Sequence, residues 1–162
     1  MYRRRIVLPS STGDNEKKSL LLEKNDVEPP PELRESLSVL VVDDDLVLRK
    51  LMSRSLQRIA PEWSIQEAAN GETALRMTDT AAFDLIFMDQ YMASIEKQLL
   101  GTETTRELRA RGVQSRICGL SANDLEEPFR NTGADTFLIE PFPCEKVALK
   151  REMCQILYAT TG

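Results

Sequence analysis

The chain has 162 residues, of which 41% are hydrophobic and 29% charged, with a net charge of −5; this is enough for one compact domain plus a tail and too little for two. The acidic balance argues against a nucleic-acid-binding surface, and no apolar run approaches the ~20 residues that span a bilayer. Histidine is absent, so the chain alone supports no phosphohistidine, imidazole base or histidine-ligated zinc.

Residues 1–36 read as a disordered or weakly ordered extension, and residues 37–160 as the folded domain. Ser10-Ser11-Thr12-Gly13-Asp14-Asn15 is polar and turn-prone, and Pro29-Pro30-Pro31 favours an extended polyproline segment. Leu20-Leu21-Leu22 is the part of the extension suited to weak docking. Tyr2-Arg3-Arg4-Arg5-Ile6-Val7-Leu8 has the Arg-rich opening of an organelle transit peptide, but the acids from Asp14 onward favour a solvated leader.

From Leu37 the pattern alternates. Leu37-Ser38-Val39-Leu40-Val41-Val42 reads as a fully buried strand, and the acidic Asp43-Asp44-Asp45 follows it directly. A helix is expected over Leu46 to Ile59, ended by Pro61, then a half-buried strand over Trp63 to Ala68, stopped by the Asn70-Gly71 turn. A second helix is expected over Gly71 to Thr78. The apolar run Asp84-Leu85-Ile86-Phe87-Met88 is a third strand ending on Asp89. After a loop, a helix near Thr102 to Arg111 is closed by Gly112. Arg116 to Leu120 is a fourth strand ending on Ser121, and a weaker helix covers Leu125 to Thr132. Thr136 to Ile139 is the fifth strand, and Glu145 to Tyr158 the last helix. Strands and helices in strict alternation imply a parallel sheet covered on both faces. The three cysteines, Cys118, Cys144 and Cys154, have no C-x-x-C spacing and read as reduced thiols that fill space.

Parallel strands point the same way, so Asp43-Asp44-Asp45, Asp89 and Ser121 converge on the carboxyl edge of the sheet, where open α/β sheets bind ligands. Any one of them alone reads as a helix cap. Crowded carboxylates repel one another unless a cation shares the site, and hard oxygen donors suit Mg²⁺.

Four stretches, Val41-Val42-Asp43-Asp44-Asp45, Asp84 to Met92, Leu120-Ser121-Ala122 and Phe137-Leu138-Ile139-Glu140-Pro141-Phe142, resemble the receiver domain of two-component response regulators, in the order and spacing of that family. The resemblance implies a flavodoxin-like, doubly wound five-stranded parallel sheet in strand order 2-1-3-4-5. It implies that Asp89 is the phosphoacceptor, taking a phosphoryl group from the phosphohistidine of a sensor histidine kinase or a His-containing phosphotransfer protein. Mg²⁺ would be held by Asp44 directly, by Asp43 through water, by Asp89 and by the backbone carbonyl of Tyr91. Ser121 matches the hydroxyl that bonds the phosphoryl oxygens, and Phe137 the aromatic switch that follows it, with a plain core aromatic as the alternative. Pro141 matches a proline that usually follows a cis peptide. A receiver of this kind is no conventional enzyme. With no output domain visible after Tyr158, it is expected to be a cytoplasmic, stand-alone module acting on a downstream protein, without nucleic acid or membrane.

The chain departs from that pattern at Glu140, which stands where the family has a nearly invariant lysine; a carboxylate there repels phosphate and favours cations or protons. Ala93 replaces a usual proline, and residues 93–100 form an insertion suited to a helical turn. The fourth helix is shortened, with Pro128 inside it. Glu140 keeps a second reading open: a pseudo-receiver that binds partners without regulated phosphorylation. A remote third is a haloacid-dehalogenase-type phosphatase, because Asp43-Asp44-Asp45-Leu46-Val47 fits its D-x-D-x-[TV] motif; that reading makes Asp43 the nucleophile and leaves Asp89 without a role.

Overall fold

The five apolar runs form five strands of a single parallel sheet in the computed structural model, which describes residues 32–158. In chain order the elements are β1 (Ser38–Val42), α1 (Leu46–Ile59), β2 (Ser64–Ala68), α2 (Gly71–Thr80) and β3 (Leu85–Asp89). They continue with α3 (Gly101–Ala110), β4 (Arg116–Ser121), α4 (Glu126–Thr132), β5 (Thr136–Ile139) and α5 (Lys146–Tyr158). The sheet runs β2-β1-β3-β4-β5, the doubly wound order the resemblance implies.

Side chains alternate between the two faces of a strand, and here both faces are covered, so the central strands are apolar throughout. Val39 and Val41 of β1 face α1 and α5, packing with Met52, Leu56, Leu149 and Met153. Leu40 and Val42 face the other layer, with Leu75, Leu108 and Phe129 from α2, α3 and α4. The strand-to-helix break after β1 is chemical: Asp45 leaves the strand and its Oδ1 accepts from the backbone N–H of Val47 (2.9 Å) and Leu48 (3.1 Å), capping α1. Pro128 occupies the first turn of α4, where the missing N–H has no intrahelical partner to lose. None of the three cysteines is in a disulfide, and burial pushes the Cys118 thiol up to about 12, so it carries no thiolate near neutrality.

One expectation is corrected and one gains detail. Residues 32–34, near the end of the expected extension, contact the domain: Leu33 packs on the α1–α5 core, Arg34 O accepts from Trp63 Nε1 (2.9 Å), and Glu32 O from the Tyr158 hydroxyl (3.2 Å). The leucine triplet and the Arg-rich opening lie outside the described residues. Residues 93–100 form no helical turn. Their N–H groups are claimed by side chains instead of by carbonyls a turn earlier: Lys97 N and Leu99 N both donate to Glu72 Oε1 (2.9 and 3.3 Å), Glu96 N donates to Ser94 Oγ (3.0 Å), and Gln98 turns through φ 52°.

Candidate functional site

The register of the sheet places the functional ends side by side. Val42 pairs with Met88, Asp89 with Leu120, and Ser121 with Ile139, so the residues at and just beyond these ends share one edge. There, one carboxylate oxygen from each of Asp43, Asp89 and Glu140 lies within 4.8 Å of the other two. Asp43 is 2% exposed, and Asp89 and Glu140 are half-buried. Glu140 does not swing out to solvent, since its carboxylate is half-buried in this group. Its backbone N–H donates to Ser121 O (2.9 Å), and the Glu140–Pro141 peptide is cis.

No lysine or arginine among the described residues forms an ion pair with these three carboxylates. Arg49 comes nearest in role, but its guanidinium donates to the Asp43 carbonyl (Nη1, 2.6 Å) and to Glu67 (Nε, 3.1 Å). The electrostatic consequence is direct. Burial, with the Glu140 and Asp44 charges added, pushes Asp43 up to about 6 against the single N–H bond from Asp45. Burial and then the charges of Asp43 and Glu140 push Asp89 up to about 7. Burial also raises Glu140. Crowded oxygen donors without a protein cation are a fitting donor set for a hard divalent ion.

Asp44, matched by the resemblance to the direct metal ligand, stands outside this group. It is exposed, and its Oδ2 accepts from Ala93 N (2.9 Å), so it holds the loop after β3 while the buried Asp43 shares the cluster. Tyr91 sits two residues beyond Asp89 with its side chain 60% exposed. Ser121 ends β4, buried, its Oγ accepting from Asn123 N (3.2 Å). Phe137 is half-buried and stacks on Phe129 (ring centroids 5.7 Å apart), joined to the core on the α2–α4 side.

Two supporting roles, those of Glu72 and Gln90, escaped the sequence reading. Glu72, at the second position of α2, is buried and holds the insertion through Lys97 N and Leu99 N. Burial pushes its carboxyl up, but the backbone N–H bonds outweigh this and hold it below its ordinary value. Leu100 offers α3 no capping side chain, and Gln90 supplies one from β3's end: its Oε1 accepts from Thr102 N (2.9 Å) and its carbonyl from Gly101 N (2.8 Å). Gly101 is the price of that approach, since a Cβ there would lie 2.0 Å from the Asp89 carbonyl oxygen. Gly101→Ala is therefore expected to destabilise the fold by about 1–3 kcal/mol, read as a lower urea midpoint.

Beside Glu140 an apolar cleft of about 370 Å³ opens between α1 and the β5–α5 loop, lined by Leu48, Leu51, Met52, Ala122, Pro141 and Phe142. Leu48 and Leu51 are more than two-fifths exposed (43% and 45%).

Residues 39–150 match the response regulator receiver domain. The chain is 33% identical over 121 residues to the two-component response regulator ORR41 of Oryza sativa subsp. japonica, covering 72% of this chain and 92% of that protein. It is 35% identical over 144 residues to the two-component response regulator ARR22 of Arabidopsis thaliana, covering 85% and 90%. Among solved structures it is similar to the receiver domain of sensor histidine kinase PA1611 from Pseudomonas aeruginosa PAO1, described with a magnesium ion coordinated in its active-site cleft. The identity there is 27%, the TM-score 0.61, and the coverage 74% of this chain and 95% of that one.

Proposed function

The chain belongs to the response regulator receiver domain family of two-component systems, and from that membership we propose that it is a stand-alone receiver whose Asp89 accepts a phosphoryl group from a partner's phosphohistidine. The observation that carries this reading is the meeting of Asp89 with Asp43 and Glu140 at the carboxyl edge of the sheet, within 4.8 Å. An Asp89 oxygen attacks phosphorus, the P–N bond to the partner's imidazole breaks with its electron pair leaving on nitrogen, and an acyl phosphate forms. Asp89 must be ionised to attack, and its displacement to about 7 leaves much of it protonated near neutrality unless positive charge enters the site. Asp43, Asp89 and Glu140 are placed to hold a divalent cation, which when bound would offset carboxylate charge and polarise the incoming phosphoryl group. Ser121 Oγ accepts from Asn123 N, which leaves its own O–H to donate to a phosphoryl oxygen. The histidine has to come from the partner, because this chain has none.

The partner of this reading is a sensor histidine kinase or a His-containing phosphotransfer protein, seated over Asp89 against the apolar cleft with its exposed Leu48 and Leu51. Output follows by protein–protein contact. A cytoplasmic site of action belongs to this reading, and no helix of the described residues is long and apolar enough to cross a membrane. The chemistry is receiver phosphorylation, not turnover of a free substrate.

Glu140 supports a second reading, a pseudo-receiver that keeps the fold for binding alone. The experiment that separates the two is incubation with a small phosphodonor and Mg²⁺, read by intact mass. A single labile phosphoryl adduct, absent in Asp89→Asn, is expected. Unchanged mass over a wide range of donor concentration would replace the receiver with the pseudo-receiver. Steady phosphate release from monoesters that depends on Asp43 and not on Asp89 would point to the phosphatase instead.

A further inference from the structure

We propose that Glu140 is itself a ligand of the divalent cation, so that the ion is held by three protein carboxylates, Asp43, Asp89 and Glu140, and binds far more tightly than it would without Glu140. The inference rests on the cation-dependent reading above but requires no phosphoryl transfer. Metal–oxygen bonds of ~2.0–2.6 Å set donor oxygens roughly 3–5 Å apart across one ion, and the three oxygens here lie within 4.8 Å of one another.

The donor set of the cluster fits a hard divalent ion. Asp43 is 2% exposed, and of its two oxygens Oδ1 accepts from Asp45 N (2.7 Å), which leaves the other without a donor among the described residues and open to an ion. The half-buried Glu140 carboxylate likewise accepts no hydrogen bond from the described residues, although its backbone is pinned to Ser121 O (2.9 Å). Arg49 does not neutralise the group, since its guanidinium turns to the Asp43 carbonyl and to Glu67. A lysine at 140 would occupy the space with positive charge and compete with the ion; a glutamate adds a hard oxygen donor and a negative charge to the same space.

The test is direct titration of the full chain with Mn²⁺, a hard octahedral probe for the Mg²⁺ site, followed by electron paramagnetic resonance of the free ion with no phosphodonor present. Glu140→Gln and Glu140→Ala are each expected to weaken binding at least tenfold, and the control Glu62→Gln, an equal loss of charge at an exposed position outside the cluster, to change it less than twofold. Unfolding in chelator checks that both Glu140 variants are folded; removing a repelling charge should leave them at least as stable as wild type. Wild-type affinity in either Glu140 variant overturns the proposal. Failure of Asp89 to take phosphate while Glu140 still governs Mn²⁺ binding sinks only the receiver reading, whereas phosphorylation with Glu140-independent binding sinks only this one.

Discussion

Cation-free protein is expected to be more stable at pH 5 than at pH 8, and Mg²⁺ to raise the melting temperature at pH 8 while doing little at pH 5. Asp43 moves from 3.8 to about 6 and Asp89 from 3.8 to about 7 on folding, and Glu140 moves up as well. In each case the native state holds a proton that the unfolded chain has already released. Stability from these groups is therefore complete below pH 3.8 and is lost as pH rises through about 6 and about 7. One pKa unit corresponds to about 1.4 kcal/mol; because the groups titrate as a coupled set, the loss expected across the window is about 3 kcal/mol, or roughly 10 °C in melting temperature for a domain of this size. Glu67, Glu72 and Glu145 are shifted the other way. Their contribution is present above 4.5 and lost as pH falls through their lower native values, outside the window. The absence of histidine leaves no other side chain with an ordinary pKa near neutrality. Melts in chelator and in Mg²⁺ at the two pH values decide the matter. A chelator melting temperature that does not fall between pH 5 and pH 8 would show that the carboxylates are not crowded in solution.

The parts of this molecule that were legible in its sequence are those decided locally. Val39-Leu40-Val41-Val42 and Leu85-Ile86-Phe87-Met88 are apolar at every position because both sheet faces are covered, and that pattern alone identifies central parallel strands. The bounds of α1 follow from Asp45, a capping side chain two and three residues from its N–H partners. Asp43 and Asp89 could be brought to one edge by topology alone. What was not legible depends on contacts between distant residues. The 93–100 segment has the composition of a helical turn, but Glu72, 25 residues before Lys97, captures its N–H groups. One Asp44 oxygen is engaged by Ala93 N, 49 residues on. Nothing in the local sequence of either acid signals those partners. The charge at 140 was legible, and so was its addition to the acidic cluster; that its carboxylate lies within 4.8 Å of those of Asp43 and Asp89, and not out in solvent, needed the three-dimensional structure.

That inward turn leads to the second large expectation: Glu140→Lys should raise the initial rate of phosphoryl adduct formation at saturating Mg²⁺ at least tenfold, while weakening the cation itself. The backbone at 140 is fixed by its bond to Ser121 O (2.9 Å), so a new side chain leaves from the same point, beside Asp89 and the Ser121 hydroxyl. The substitution changes the local charge by two units. One unit charge 4.8 Å from another is worth about 3 kcal/mol at an effective dielectric constant of 20, more than twice the ~1.4 kcal/mol behind a tenfold rate. Removing repulsion toward the phosphoryl oxygens and adding a donor for them act in the same direction, and both favour the acyl phosphate and its approach. Intact mass against time, with Glu140→Gln alongside, separates the contributions: the glutamine should recover the part due to lost repulsion, and the lysine the remainder. If Glu140→Lys stays folded, binds Mg²⁺ and still takes no phosphate, position 140 is not what limits the site. The cause would then lie in the loop after β3, where Ala93 N engages an Asp44 oxygen and Glu72 holds the loop in place.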